Sequence, residues 1–234
     1  MRPAPWIICA ALAMSVPVAA RGQAMGDQAI YTYISFDELE YRAHADERPV
    51  LFDAMVWIGG DFNRLWAKGR GERPTRGGGG NVEGQLLYGR VVSPFWDLQA
   101  GVRIDVHSDG AERGARGLIA IGLQGLAPYW FEVESAVFVS HEGDVSARFQ
   151  ASLDLLLTQR LILEPELELD LAAQDVPEFG VASGLSTIEV GARVRYEIVR
   201  EFAPYIGVSW ERHAGTEGGS ERDTSLVAGL SWWY

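Results

Sequence analysis

The feature that most constrains this chain is a strict alternation of apolar and polar side chains, sustained over runs of roughly 10–14 residues. In 96–107, Trp96, Leu98, Ala100, Val102, Ile104 and Val106 alternate with Asp97, Gln99, Gly101, Arg103, Asp105 and His107. In 145–158, Val145, Ala147, Phe149, Ala151, Leu153, Leu155 and Leu157 oppose Ser146, Arg148, Gln150, Ser152, Asp154 and Thr158. The same pattern recurs in 160–172 and 187–199. A two-residue period is that of a β-strand with unlike faces. Strands of soluble sandwiches average about 5–6 residues. Runs twice as long match the roughly 9–11 tilted residues that cross a bilayer. The pattern does not say which face turns inward: a soluble protein buries the apolar set, a membrane barrel the polar one.

The connections favour the barrel. Short turns containing Pro or aromatic residues, such as Ser93-Pro94-Phe95-Trp96-Asp97 and Leu126-Ala127-Pro128-Tyr129-Trp130, alternate with longer polar stretches at 43–48, 71–81, 107–113, 141–144, 174–184 and 213–223. Outer-membrane barrels pair tight periplasmic turns with longer outer loops in this way. The expected fold is all-β: a transmembrane antiparallel up-and-down β-barrel of about twelve strands, with ten or eight as alternatives. The expected strands are 32–43, 50–59, 61–72, 82–93, 96–107, 114–126, 129–140, 145–157, 160–173, 186–199, 202–213 and 223–234. Two are irregular. The first alternates poorly around Phe36, Glu38 and Glu40, and the fourth sets Arg90 against its pattern, which a bulge would relieve.

Residues 1–24 read as an export signal: Arg2, then an apolar stretch from Trp6 to Val18, then small residues suited to cleavage after Ala20 or Ala24. A short periplasmic segment, 25–31, would precede a barrel domain at 32–234. Cleavage would remove Cys9, the one cysteine, leaving neither a disulfide framework nor a thiolate metal site. The net charge of −12 offers no basic footprint for nucleic acid. Mean hydropathy is −0.01, which excludes a bundle of apolar membrane helices but not a barrel. The expected location is the outer membrane, in contact with its lipid.

Several stretches are long and ordered enough to compare with a known family. They are Trp57-Ile58-Gly59-Gly60-Asp61, Pro94-Phe95-Trp96-Asp97-Leu98-Gln99-Ala100-Gly101-Val102-Arg103, Gln124-Gly125-Leu126-Ala127-Pro128-Tyr129-Trp130-Phe131-Glu132, Leu156-Leu157-Thr158-Gln159-Arg160-Leu161-Ile162-Leu163, and Glu201-Phe202-Ala203-Pro204-Tyr205 with Trp210-Glu211-Arg212. Together they resemble the copper-resistance protein B family over roughly residues 33–234. The resemblance implies an outer-membrane protein of a periplasmic copper-resistance system, acting beside a multicopper oxidase. Many members carry an N-terminal tail rich in Met and His. Here the expected mature chain holds only Met25 and Met55 as methionines, so copper sequestration by such a tail is not expected.

Copper capture, if the barrel performs it, must then use harder ligands. Cu(I) prefers Met and Cys, whereas Cu(II) accepts imidazole and carboxylate. His44, His107, His141 and His213 all fall at the outer ends of expected strands, and form two candidate pairs, His44 with His213 and His107 with His141. Asp53 and Met55 share the inward face of the second strand and are a second candidate. Inward charges are expected on Glu132, Glu134, Glu164, Glu166, Glu168, Asp170, Glu189 and Glu197, with Arg64, Lys68, Arg103, Arg148, Arg160, Arg193 and Arg195. They suit a packed ion-pair network, or alternatively a cation path. An enzyme is not expected. Ser209, Glu211 and His213 share one face, but i to i+4 along a strand is about 13 Å, too far for proton transfer. A general channel, a purely structural barrel and a hydrolase stand as alternatives.

Overall fold

The computed structural model describes residues 29–43, 49–75, 79–109, 112–215 and 219–234. The expected signal segment and His44 lie outside the described residues. The strands are β1 (Tyr31–Ala43), β2 (Pro49–Gly59), β3 (Asn63–Pro74), β4 (Gly79–Ser93), β5 (Trp96–Asp109), β6 (Glu112–Ala127), β7 (Phe131–Ser140), β8 (Val145–Leu153), β9 (Leu155–Leu156), β10 (Leu161–Ala172), β11 (Gly184–Tyr196), β12 (Phe202–Ala214) and β13 (Ser220–Trp233). Both β8 and β9 pair with β10, so they are two parts of one barrel strand interrupted at Asp154. Each barrel strand pairs antiparallel with its chain neighbour, and β13 returns to β1 with Tyr41 opposite Ala228. The result is a closed barrel of twelve strands. Closure leaves no unpaired sheet edge.

Aromatic rings sit along the closing seam. Tyr33 of β1 stacks on Trp57 of β2 at 6.1 Å and on Trp233 of β13 at 6.2 Å between ring centroids. The Trp233 indole N–H donates to the Arg200 carbonyl at 2.9 Å. The chain's aromatic ending thus fastens the last strand to the first.

The burial pattern settles the question that alternation leaves open. Ile206 and Leu226 are 68% and 67% exposed on the outer wall, while Glu40 and Arg193 are 1% and 4% exposed inside. An apolar surface of this extent is stable against lipid, not water. The interior has two sides. Trp66, Leu87, Leu118, Ala120 and Phe138 form an inward apolar cluster joined by Met55 and Trp57. The remainder is charged and closed by ion pairs.

Four sequence expectations need adjustment. The irregularity of β1 is a bulge: its register against β2 shifts between Phe36 and Glu38. The shift lets Phe36 face lipid while Glu38, Glu40 and Arg42 all turn inward. In β4 a register shift falls between Val91 and Ser93, beyond Arg90, and Arg90 stays exposed on the outer wall at the turn end of its strand. A long basic side chain there reaches the interfacial water while its stem lies on apolar surface. Residues 129 and 130 belong to a short 3-10 turn, Pro128–Trp130, in which Tyr129 and Trp130 both have φ of 68°. Arg160 was expected inside but lies exposed in the turn between β9 and β10.

Candidate metal-capture site at the barrel mouth

An interior cavity of about 1220 Å³ reaches from Asp61 and Pro94 at the short-turn end to Phe179 and His213 at the long-loop end. Among the described residues, nineteen carboxylate side chains and ten Arg or Lys side chains line it, an acidic surplus. Ion pairs join distant strands. Arg70 of β3 holds Glu168 of β10 at 2.9 Å and Asp53 of β2 at 2.8 Å. Arg148 of β8 holds Glu83 of β4 at 3.0 Å and Asp170 at 2.8 Å. Lys68 of β3 reaches Glu134 of β7 at 2.7 Å. Arg193 of β11 pairs with Glu38 at 2.6 Å, Glu40 at 2.8 Å and Glu166. The expected opposition of the β10 acids to Arg193 and Arg195 is present, with Arg195 on Glu164 at 2.7 Å. Arg42, Arg70, Glu40 and Glu83 also belong to the network. The β1 bulge hid Glu40 and Arg42, whereas Arg70 stands on the same alternating face as Arg64 and Lys68 and was legible there.

The candidate ligands are distributed as follows. His213 lies at the mouth end of β12 and lines the interior. Its Nε2 is 2.7 Å from Glu211 Oε1, and its Nδ1 is 3.0 Å from Thr187 Oγ1 of β11. Glu211 also faces Arg42 at 3.5 Å, so the imidazole–carboxylate pair is tied to the interior network. His107 lines the interior at the mouth end of β5, and its Nδ1 bonds Asn81 Oδ1 of β4 at 2.5 Å. With that oxygen as acceptor, Nδ1 carries the proton and Nε2 keeps the lone pair, the orientation found in metal-ligating histidines. His141 stands in the β7–β8 turn, exposed, beside Glu142 at 3.8 Å. It does not line the cavity, so the structure does not bring His107 and His141 to one interior site. Asp53 and Met55 both line the interior, as their alternation implies. The Asp53 carboxylate is taken by Arg70, and Met55 packs on the Trp66 cluster. Among the described residues no three His, Cys, Asp or Glu groups converge as a metal cluster.

One loop narrows the mouth. Residues 173–183 join β10 to β11, folded on themselves by a bridge between Val176 and Val181. They carry Phe179 across to the β5–β6 wall. The Arg116 guanidinium lies 4.3 Å from the Phe179 ring centroid, and the His107 ring 6.5 Å from it. The close approach is made at Gly114, where a Cβ would lie 3.3 Å from Glu178 Oε1. No periodicity announces such a loop position. Ser209 donates to Glu189 at 2.7 Å, while His213 is held by Glu211 and Thr187.

Residues 30–234 match the family model described as copper resistance protein B precursor. This chain belongs to the copper-resistance protein B family. It is 41% identical to copper resistance protein B of Escherichia coli over 221 residues, spanning 92% of this chain and 73% of that one. It is 40% identical to the copper resistance protein B homolog of Pseudomonas syringae pv. tomato over 220 residues, spanning 91% and 73%. Among solved structures, the NanC porin superposes with a TM-score of 0.54 at 13% identity, covering 86% of this chain and 99% of that one. The KdgM porin gives 0.50 at 10% identity, covering 86% and 98%. At these identities the porins show the fold alone. As a member of this family with this fold, the chain is an outer-membrane barrel of a copper-resistance system.

Proposed function

We propose that this barrel captures Cu(II) at its outer mouth and holds or passes it through an acidic interior, without covalent catalysis. The observation that carries the reading is the His213–Glu211 pair at 2.7 Å, inward-facing at the mouth. Imidazole with carboxylate suits Cu(II). His44, which follows Ala43 of β1 in the sequence, is the further ligand we assign to this pair. His107 is a separate one-imidazole station on the opposite wall, with its Nε2 lone pair available. The acidic surplus lowers the cost of cation entry. Asp53 and Met55 form the interior alternative, Cu(I) favouring the thioether. A multicopper oxidase would meet the barrel at the short-turn end, where Phe95, Tyr129 and Trp130 are exposed.

The test is Cu(II) binding by the refolded protein in detergent. Wild type is expected to bind stoichiometrically, and His213→Ala with Glu211→Gln to bind at least about tenfold more weakly, because both ligands of the pair are lost. Binding should fade as pH falls, starting above the ordinary imidazole range, because the hydrogen bond with Glu211 raises the His213 imidazole above its usual value. Equal binding by a variant with His44, His107, His141 and His213 all changed to Ala would move the site inside. Asp53→Asn and Met55→Leu would then be the variants to make.

A further inference from the structure

A second site stands on the lipid-facing wall. Arg212 of β12 lies directly opposite Arg222 of β13 in the strand register. Glu211 and His213, its neighbours in sequence, face the interior, so Arg212 faces out. Arg222 shares the face of Leu226, which is 67% exposed to lipid. Side chains directly opposite in an antiparallel pair have Cβ atoms about 4.5–5.5 Å apart, and like charges there destabilise the pair. Neither arginine forms an ion pair with a carboxylate among the described residues. Arg73, also exposed at this end of the wall, differs: it lies opposite Val50, an apolar partner.

The level of the pair in the membrane is informative. The outward residues below it are Trp210 and Val208 on β12 and Thr224, Leu226, Ala228, Leu230 and Trp232 on β13. From Trp232 to Arg222 is ten residues, about 33 Å along the strand and roughly 25 Å along the membrane normal at a tilt near 40°. That is the height of the apolar band of such barrels. The two guanidiniums therefore emerge at the headgroup level of the outer leaflet, one step beyond Trp210.

We propose that Arg212 and Arg222 together bind a phosphate group of an outer-leaflet glycolipid. Each guanidinium fork can hold phosphate oxygens through two parallel N–H donors, which lysine cannot, and two forks at one register position offer a single phosphate both sets. A bound phosphate also removes the like-charge cost that the bare register carries. The site is independent of copper: it lies on the opposite side of the wall from His213.

The test uses the folded protein in detergent, incubated with phosphorylated lipopolysaccharide, the same lipid enzymatically dephosphorylated, or inorganic phosphate, with retained lipid counted by native mass spectrometry. Wild type should retain the phosphorylated lipid and release the dephosphorylated one. The double variant Arg212→Gln with Arg222→Gln should bind at least about tenfold more weakly, the scale of lost charge-assisted bonds. Arg90→Gln, an outward arginine at the opposite end of the wall, should match wild type. Arg222→Glu pairs opposite charges, so it should keep the heat-modifiable mobility of the folded barrel and lose the lipid. Equal retention by wild type and the double variant would overturn the proposal. So would equal retention of the dephosphorylated lipid, or displacement of the lipid by equimolar inorganic phosphate.

Discussion

Arg193 shows what a single residue does in this interior. It is 4% exposed and holds Glu38, Glu40 and Glu166, while Glu40 is also bonded to Arg42 at 2.9 Å. Three carboxylates at one place are tolerable only with the cation between them. Arg193→Ala should therefore destabilise the barrel by about 3–5 kcal/mol, the cost of leaving buried charge unpaired. Urea unfolding in lipid vesicles measures it. Replacing Glu166 by Gln in the same background should recover part of the loss, because one unpaired charge is gone. No recovery would show that Arg193 acts by packing. The alternation put Arg193 with Arg195, and Asp53 with Met55, on shared faces, which the barrel expectation turned inward. It did not show that Asp53 is already engaged by Arg70, because β2 and β3 register is a matter of pairing, not of pattern.

At the scale of the strand, ring-over-glycine contacts fix neighbouring strands. The Tyr205 ring of β12 covers Gly229 of β13, where a Cβ would lie 2.5 Å from the ring and 2.7 Å from the Leu39 carbonyl. Trp66 of β3 covers Gly89 of β4 in the same way, with a Cβ 2.5 Å from Nε1. Gly229 sits directly opposite its ring and Gly89 two residues from opposite, on the same face, so both are chosen for space rather than for backbone freedom. Gly229→Ala should cost about 1–3 kcal/mol by overpacking, and more than the same change at Gly117, where nothing lies within 4 Å. Thermal loss of the heat-modifiable gel band compares the two. The strand boundaries were legible to within a few residues because turn residues and period agree. The β1 bulge was not. A bulge is dictated by what each face must bury, and Phe36 and Glu38 can reach opposite environments only if the register slips between them.

At the scale of the whole molecule, the interior is crossed by ion pairs that join β3 to β10, β8 to β4 and β3 to β7. Such a lumen should conduct poorly. In planar bilayers wild type should show small, cation-preferring events, and Arg70→Ala with Arg148→Ala should raise conductance several-fold. The pair of substitutions removes two cross-lumen links and two positive charges from an acidic interior. Large open-pore events in wild type would contradict the packed interior. The loop at 173–183 adds a second restriction at the mouth through Phe179 on Arg116.

The sequence by itself determined the period, the strand lengths, the alternation of short and long connections, and so the membrane they suit, while twelve strands rather than ten or eight was decided by the closed pairing. It also placed His107, His141 and His213 at one end, because each falls where a strand meets a long connection. Only the tertiary structure decided which face is inside, since a two-residue period is the same whichever face is buried. It also decided which charges meet, since Arg70 and Glu168 are brought together by closure of the sheet, not by nearness in the chain. His213 and Glu211 meet because they share one face of a single strand, as the alternation implies, whereas His107 lines the interior and His141 stands exposed in a turn, because side-chain direction at a strand's end depends on where the turn begins.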